Sequence, residues 1–138
     1  MATLIVATCT CGSFRFQSES EPIFQLTCHC FQCREASKAP FTNFAFFKLA
    51  ESEVEVEGKT VVHSFTADSG TKTVRETCAT CGEILLDRTE GFPQIIGVVA
   101  DRIQSPYEFK ARCHVWVESK CEEVRVPEGV KAFARNMQ

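Results

Sequence analysis

The sequence has no long hydrophobic run. Nothing in its 138 residues approaches the ~20 consecutive apolar residues that a membrane-spanning helix needs. It has no excess of positive charge either. Fifteen Lys and Arg against 18 Asp and Glu give a net charge of −3, and the basic residues are scattered, so the chain lacks the basic face of a nucleic-acid binder. A basic leader is also missing: Met1-Ala2-Thr3-Leu4-Ile5-Val6-Ala7-Thr8 carries only a few apolar residues before the first cysteine and does not read as a secretory signal. No linker, repeat or low-complexity segment divides the chain, so residues 1–138 are expected to form one domain, soluble and cytoplasmic.

What the sequence does have is cysteine. Seven of its nine cysteines fall into three tight clusters: Cys9-Thr10-Cys11, Cys28-His29-Cys30-Phe31-Gln32-Cys33 and Cys78-Ala79-Thr80-Cys81. An odd total leaves at least one thiol outside any disulfide framework. Strand-spaced C-x-C pairs, with Cα atoms about 6–7 Å apart, would also make strained bridges. Reduced, clustered thiols bind soft metals, and zinc is the expected one. Seven thiolates are one short of two closed four-thiolate zinc sites, which predicts one saturated site and one with a vacant position.

The hydrophobic period is that of strands. Phe14 and Phe16 alternate with polar neighbours, as do Val54 and Val56 among glutamates, and Val124 and Val126 beside Glu123 and Arg125. Further runs at Leu4–Thr8, Ile23–Thr27, Phe41–Phe47, Val61–Thr66, Lys72–Thr77, Ile84–Asp87, Gln94–Val99 and Val115–Val117 bring the expectation to about ten short strands. Turn signals separate them at Glu57-Gly58-Lys59, Asp68-Ser69-Gly70, Glu90-Gly91-Phe92-Pro93 and Ser105-Pro106. Only Phe31–Ala39 reads as helical, over about two turns. The twelve phenylalanines supply the bulk of an all-β core.

These elements give the thiols geometry. Residues i and i+2 of a strand point to one side, so Cys9 and Cys11 present two sulfurs to one metal. Cys78 and Cys81 flank a tight reversal that Gly82 permits. Together they make a four-thiolate structural zinc site joining distant parts of the chain. Cys28, Cys30 and Cys33 remain for a second zinc, whose fourth position can take water, a substrate thiol or one of Cys113, Cys121, His114 and His63. His29, between two strand-spaced cysteines, points away from that metal. As isolated cysteines, Cys113 and Cys121 read as small buried hydrophobes.

In order, Cys9-Thr10-Cys11-Gly12, Cys28-His29-Cys30-Phe31-Gln32-Cys33-Arg34-Glu35-Ala36 with Pro40-Phe41, and Arg75-Glu76-Thr77-Cys78-Ala79-Thr80-Cys81-Gly82 resemble the glutathione-dependent formaldehyde-activating enzyme family, which also includes centromere protein V. Gly97-Val98-Val99-Ala100-Asp101 resembles that family's "G-x-x-x-D" strand end, and His114-Val115-Trp116-Val117 its "H-I-W-V" closing strand. The resemblance runs from Cys9 to about Val126. It implies an all-β tent of two small antiparallel sheets pinned by zinc, with one short helical turn. It also implies structural zinc on Cys9, Cys11, Cys78 and Cys81 and catalytic zinc on Cys28, Cys30 and Cys33. The implied reaction joins glutathione to formaldehyde as S-hydroxymethylglutathione, a carbon–sulfur lyase reaction in reverse. Two positions depart from the pattern. Lys38 stands where the family usually has glycine, and Cys121 replaces an aromatic residue.

Two zinc ions per chain and a small-molecule thiol and aldehyde are therefore the expected cofactors and partners. A thiol reacts as its thiolate, which zinc makes available at neutral pH. Glutathione also brings two carboxylates, for which Arg34 and Arg75 are the candidate cations; Lys38 falls beside the expected pocket, and Lys72 reads as surface charge. The rival class is a zinc-stabilised binding module that performs no reaction.

Overall fold

Period-two alternation becomes β-strand at nearly every place where it is clean. The computed structural model describes residues 4–66, 70–104 and 107–135; Met1–Thr3 and the turn signals at Asp68-Ser69 and Ser105-Pro106 lie outside them. The strands are β1 (Ile5–Thr8), β2 (Phe14–Ser18), β3 (Phe24–Cys28), β4 (Thr42–Lys48), β5 (Ser52–Val56), β6 (Thr60–Thr66), β7 (Lys72–Cys78), β8 (Ile84–Thr89), β9 (Ile95–Val99), β10 (Cys113–Val115) and β11 (Lys131–Ala132). The single α-helix among the described residues is α1 (Phe31–Ser37).

β1, β2 and β5 form a three-stranded antiparallel sheet. The other eight strands form one sheet in the order β11-β10-β3-β4-β9-β8-β7-β6. The all-β expectation holds, with two corrections of detail. The larger sheet is mixed rather than antiparallel, because β10 runs parallel to both β3 and β11. The alternation at Val124–Val126 is irregular chain, and the closing strand lies at Cys113–Val115 instead of Val115–Val117. Val124 and Val126 pair with no neighbouring strand, so their alternation has nothing to dock on.

The large sheet is two-faced. On β4, Ala45 and Phe47 turn into the core shared with the small sheet, against Ala7, Phe14 and Phe16. Phe16 and Phe47 are fully buried and tilt against each other at 4.9 Å. Each such ring contributes about 1.5–3 kcal/mol by burial. Phe44 and Phe46, on the alternate positions, turn to the opposite face with Leu26, Val99 and Val115. Gly97 of β9 stands directly across from Phe46, and a Cβ there would meet that ring at 2.8 Å. The glycine of the G-x-x-x-D stretch is therefore required so that Phe46 can lie across the neighbouring strand.

Candidate functional site

Cys9 ends the buried side of the β1 exit, and Cys11 follows in the turn that Gly12 closes at φ +79°. Gly12 donates its N–H to the Cys9 carbonyl at 3.0 Å. Across from it, Cys78 ends β7, and Gly82 at φ +74° returns its N–H to the Cys78 carbonyl at 2.8 Å. The two turns bring all four sulfurs within 4.8 Å of one another. Cys11 lies 3.5 Å from both Cys9 and Cys78, sulfur to sulfur. Four thiolates around one zinc at ~2.3 Å stand about 3.8 Å apart, so this donor set fits zinc with little adjustment. The Ser13 hydroxyl, and then the Cys81 backbone N–H, hold the Cys78 thiol down to about 6, close to its ligand state at neutral pH.

Glu83 fastens the two turns to each other. Its carboxylate accepts from the Thr10 N–H at 2.7 Å and from the Thr10 hydroxyl at 2.6 Å, and pairs with Arg102 at 2.9 Å. Sequence reasoning missed this residue, since a glutamate after a C-x-x-C-G turn carries no mark of its partner across the fold.

The second cluster sits where β3 passes into α1. Cys28 is the last residue of β3, Cys30 caps α1, and Cys33 is the buried residue of its first turn. The Cys33 N–H donates to the Cys30 sulfur at 3.3 Å, so the cap itself orients two of the thiols. Their three sulfurs also lie within 4.8 Å of one another, a donor set that suits zinc with one position left over. Hydrogen bonds from Cys28 and then Cys33 hold the Cys30 thiol down to about 3, while the same bond to Cys30 pushes Cys28 far up. Of the trio, Cys30 is thus the thiol held low.

Among the described residues, no other group of His, Cys, Asp or Glu atoms converges this way. Cys113 is buried in the apolar cluster under β3, and Cys121 is half-buried. His63 is exposed on β6. His114 is engaged elsewhere: its Nδ1 lies 2.8 Å from Nε2 of His29, ring stacked on ring at 5.0 Å. His29, one residue past β3, is not among the converging donors and lies in the interior rather than in solvent. It is fully buried, and burial followed by the His114 charge pushes it down to about 4.

The three sulfurs open onto a cleft of about 600 Å³ on the Phe44/Phe46 face of the large sheet. Arg75 lines it. Its guanidinium donates to Asp87 at 2.9 and 3.1 Å and reaches the Cys33 sulfur at 3.6 Å. Burial works against the Arg75 charge, and Asp87, then Cys33, more than offset it. Arg34 does not line the cleft but borders it, donating to the Ser119 carbonyl at 2.8 Å with its guanidinium over the Phe31 ring, and both of these residues do line it. Lys38 and Lys72 are exposed. The cleft has dimensions that suit a small molecule, and its metal-ligand group is accessible from it.

Lys38 ends α1 at φ +53°, ψ +40°, a left-handed conformation. The 6→1 bond from the Ala39 N–H to the Arg34 carbonyl, 3.2 Å, completes a Schellman closure around it. Glycine is the residue that adopts this conformation freely, which is why the family pattern has glycine here.

Comparison with known proteins agrees with this geometry. Among solved structures, a crystal structure of a Rhodobacter sphaeroides protein shares the fold, with a TM-score of 0.56 at 19% identity over 75% of this chain and 90% of the other. No curated protein matches the chain. Residues 4–119 match the glutathione-dependent formaldehyde-activating enzyme family, a span that contains both cysteine groups and every residue lining the cleft. The chain belongs to the glutathione-dependent formaldehyde-activating enzyme family.

Proposed function

We propose that the chain is a zinc-dependent enzyme of carbon–sulfur lyase type. Its substrate is the adduct of a thiol, glutathione in the family's name, with formaldehyde or a related small aldehyde. The carrying observation is the contrast between the two cysteine groups. Four sulfurs converge between two turns, enough for a closed zinc site, whereas three converge on the lining of an open cleft.

In this reading Cys9, Cys11, Cys78 and Cys81 hold a structural zinc, and Cys28, Cys30 and Cys33 hold a second. Bound there, zinc supplies a position for a thiolate at neutral pH and a Lewis acid beside it. The rest is done by the protein. The α1 cap fixes Cys30 and Cys33 in relation to each other. Arg75 reaches Cys33 through a charged hydrogen bond, which draws electron density from that sulfur and, with Asp87, anchors it to β7 and β8. Phe44 and Phe46 cover one side of the cleft and reduce access of water to the reacting atoms. In the synthetic direction a bond forms between thiol sulfur and carbonyl carbon, and the thiol proton ends on the former carbonyl oxygen. Cleavage reverses both.

X-ray absorption with metal analysis, on protein prepared in reducing, chelator-free buffer, tests the proposal. Two zinc ions per chain with an average sulfur count below four are expected, together with accelerated adduct formation over the uncatalysed rate. Zinc-free protein would defeat the proposal, and four sulfurs at every zinc with no added thiol and no acceleration would mean a closed binding module instead.

A further inference from the structure

The body of the cleft is aromatic. Phe44 and Phe46 come from β4, Phe65 from β6, Phe92 from the turn before β9, Phe31 from α1 and Trp116 from just after β10. Phe31 and Phe92 are 68% and 62% exposed, the two most exposed large apolar side chains among the described residues. Both stand on the same opening, which gains stability from whatever covers them. Formaldehyde, a carbonyl without carbon substituents, occupies little of a 600 Å³ space, so the thiol half is the part that meets this lining.

A glutathione body would carry two carboxylates into these surroundings. Among the described lining residues Arg75 is the one cation, and its charge is matched by Asp87, the one acid. Arg75 is further occupied by Cys33 and lies over the Phe44 and Phe65 rings. Arg34 is not itself a lining residue; its guanidinium is held at the border by the Ser119 carbonyl and the Phe31 ring, both of which line the cleft. Apart from the three cysteines, the remaining polar lining is neutral, supplied by threonines, Gln32 and Ser119. A carboxylate buried without a counter-charge is strongly disfavoured, while an aryl ring among aromatic side chains gains both burial and offset or edge contacts.

We infer that the thiol used at this site has a neutral, apolar body, best an aryl ring, rather than the charged tripeptide of glutathione. The inference rests on the reading that a thiol enters the three-cysteine site, and it identifies which kind. The reaction is unchanged: a C–S bond forms, the thiol proton passes to the aldehyde oxygen, and nothing is oxidised or reduced.

Trp116 is the only tryptophan and lines the cleft, so its fluorescence reports occupancy directly. The zinc-loaded full chain is titrated with benzyl mercaptan, benzyl methyl sulfide, glutathione and S-methylglutathione. Benzyl mercaptan should bind at least about ten-fold more tightly than glutathione and lose about ten-fold on S-methylation. Phe92→Ser, at an exposed rim position that the core does not need, should weaken the aryl thiol and leave glutathione unchanged. Asp87→Asn leaves Arg75 with an uncompensated charge and should narrow the gap in favour of glutathione. Glutathione binding as tightly as benzyl mercaptan, with both weakened by S-methylation, overturns the inference and leaves the thiol-binding reading standing. Thiols that bind no better than their S-methyl ethers, or do not bind at all, remove that reading and the inference with it.

Discussion

Replacing Lys38 by glycine should stabilise the protein, against the usual expectation for a lysine-to-glycine change at a helix end. Lys38 holds φ +53° and ψ +40° at the C-terminus of α1, and its side chain is exposed. A residue with a Cβ gives up about 1–2 kcal/mol in this region relative to glycine. Glycine returns about 0.4–1 kcal/mol of that by giving the unfolded chain more freedom. The net gain is about 0.5–1 kcal/mol, and for a chain of 138 residues it should raise Tm by about 2–4 °C. Thermal melts followed by circular dichroism measure it, at fixed zinc and thiol concentrations because bound ligands move Tm themselves. Lys38→Ala is the control. It removes the same charge and side chain but keeps the Cβ, so its Tm should stay near wild type. Equal shifts for the glycine and alanine variants would assign the effect to the side chain and refute the backbone argument. A lower Tm for Lys38→Gly would refute it outright.

The two cysteine groups should respond oppositely to mutation. Cys78→Ser breaks a site that joins Cys11 to a residue 67 positions away and should lower Tm by more than about 10 °C, because metal free energy there is folding free energy. Cys30→Ser, within a local cluster, should melt near wild type but lose zinc and adduct-forming activity; the reverse pattern would exchange the two assignments. His29 is buried with a pKa of about 4, below its unfolded value, so the unfolded chain takes up a proton as pH falls from about 6.5 to 4 and stability drops across that window, by at most about 3 kcal/mol. Melts against pH should show a steeper loss in wild type than in His29→Phe; parallel curves would remove the histidine from the account.

Most strands were legible because a half-buried strand imposes period two on its own residues, as at Phe14 and Phe16. The cysteine groupings were legible for a related reason: C-x-C and C-x-x-C are local geometries fixed by a strand and a turn. What depends on distant pairing was not. His29 stands outside both sulfur groups, yet its partner His114 is 85 residues on and meets it only because β10 inserts beside β3. Arg75 looked available for a carboxylate because nothing in its neighbourhood announces Asp87. The two are brought face to face by the β7–β8 register, beside a bulge at Glu76/Thr77 that no sequence pattern marks. Val124 and Val126 show the converse, since alternation specifies a strand only where a neighbour is there to pair with it.

The parallel placement of β10 sets an order of assembly. β3 can pair with β4 as soon as both exist, and the thiols of Cys28, Cys30 and Cys33 are then all present within one short stretch of chain. The other edge of β3 must wait for Cys113–Val115, and β10 in turn receives β11 from still later in the chain. Closing so long a loop is slow relative to forming hairpins. A nascent chain therefore exposes the edge of β3 and an early-formed thiol cluster together until its last quarter emerges. In that interval the three thiols can take up zinc, oxidise or capture the wrong cysteine partner, and metal supply during synthesis decides which.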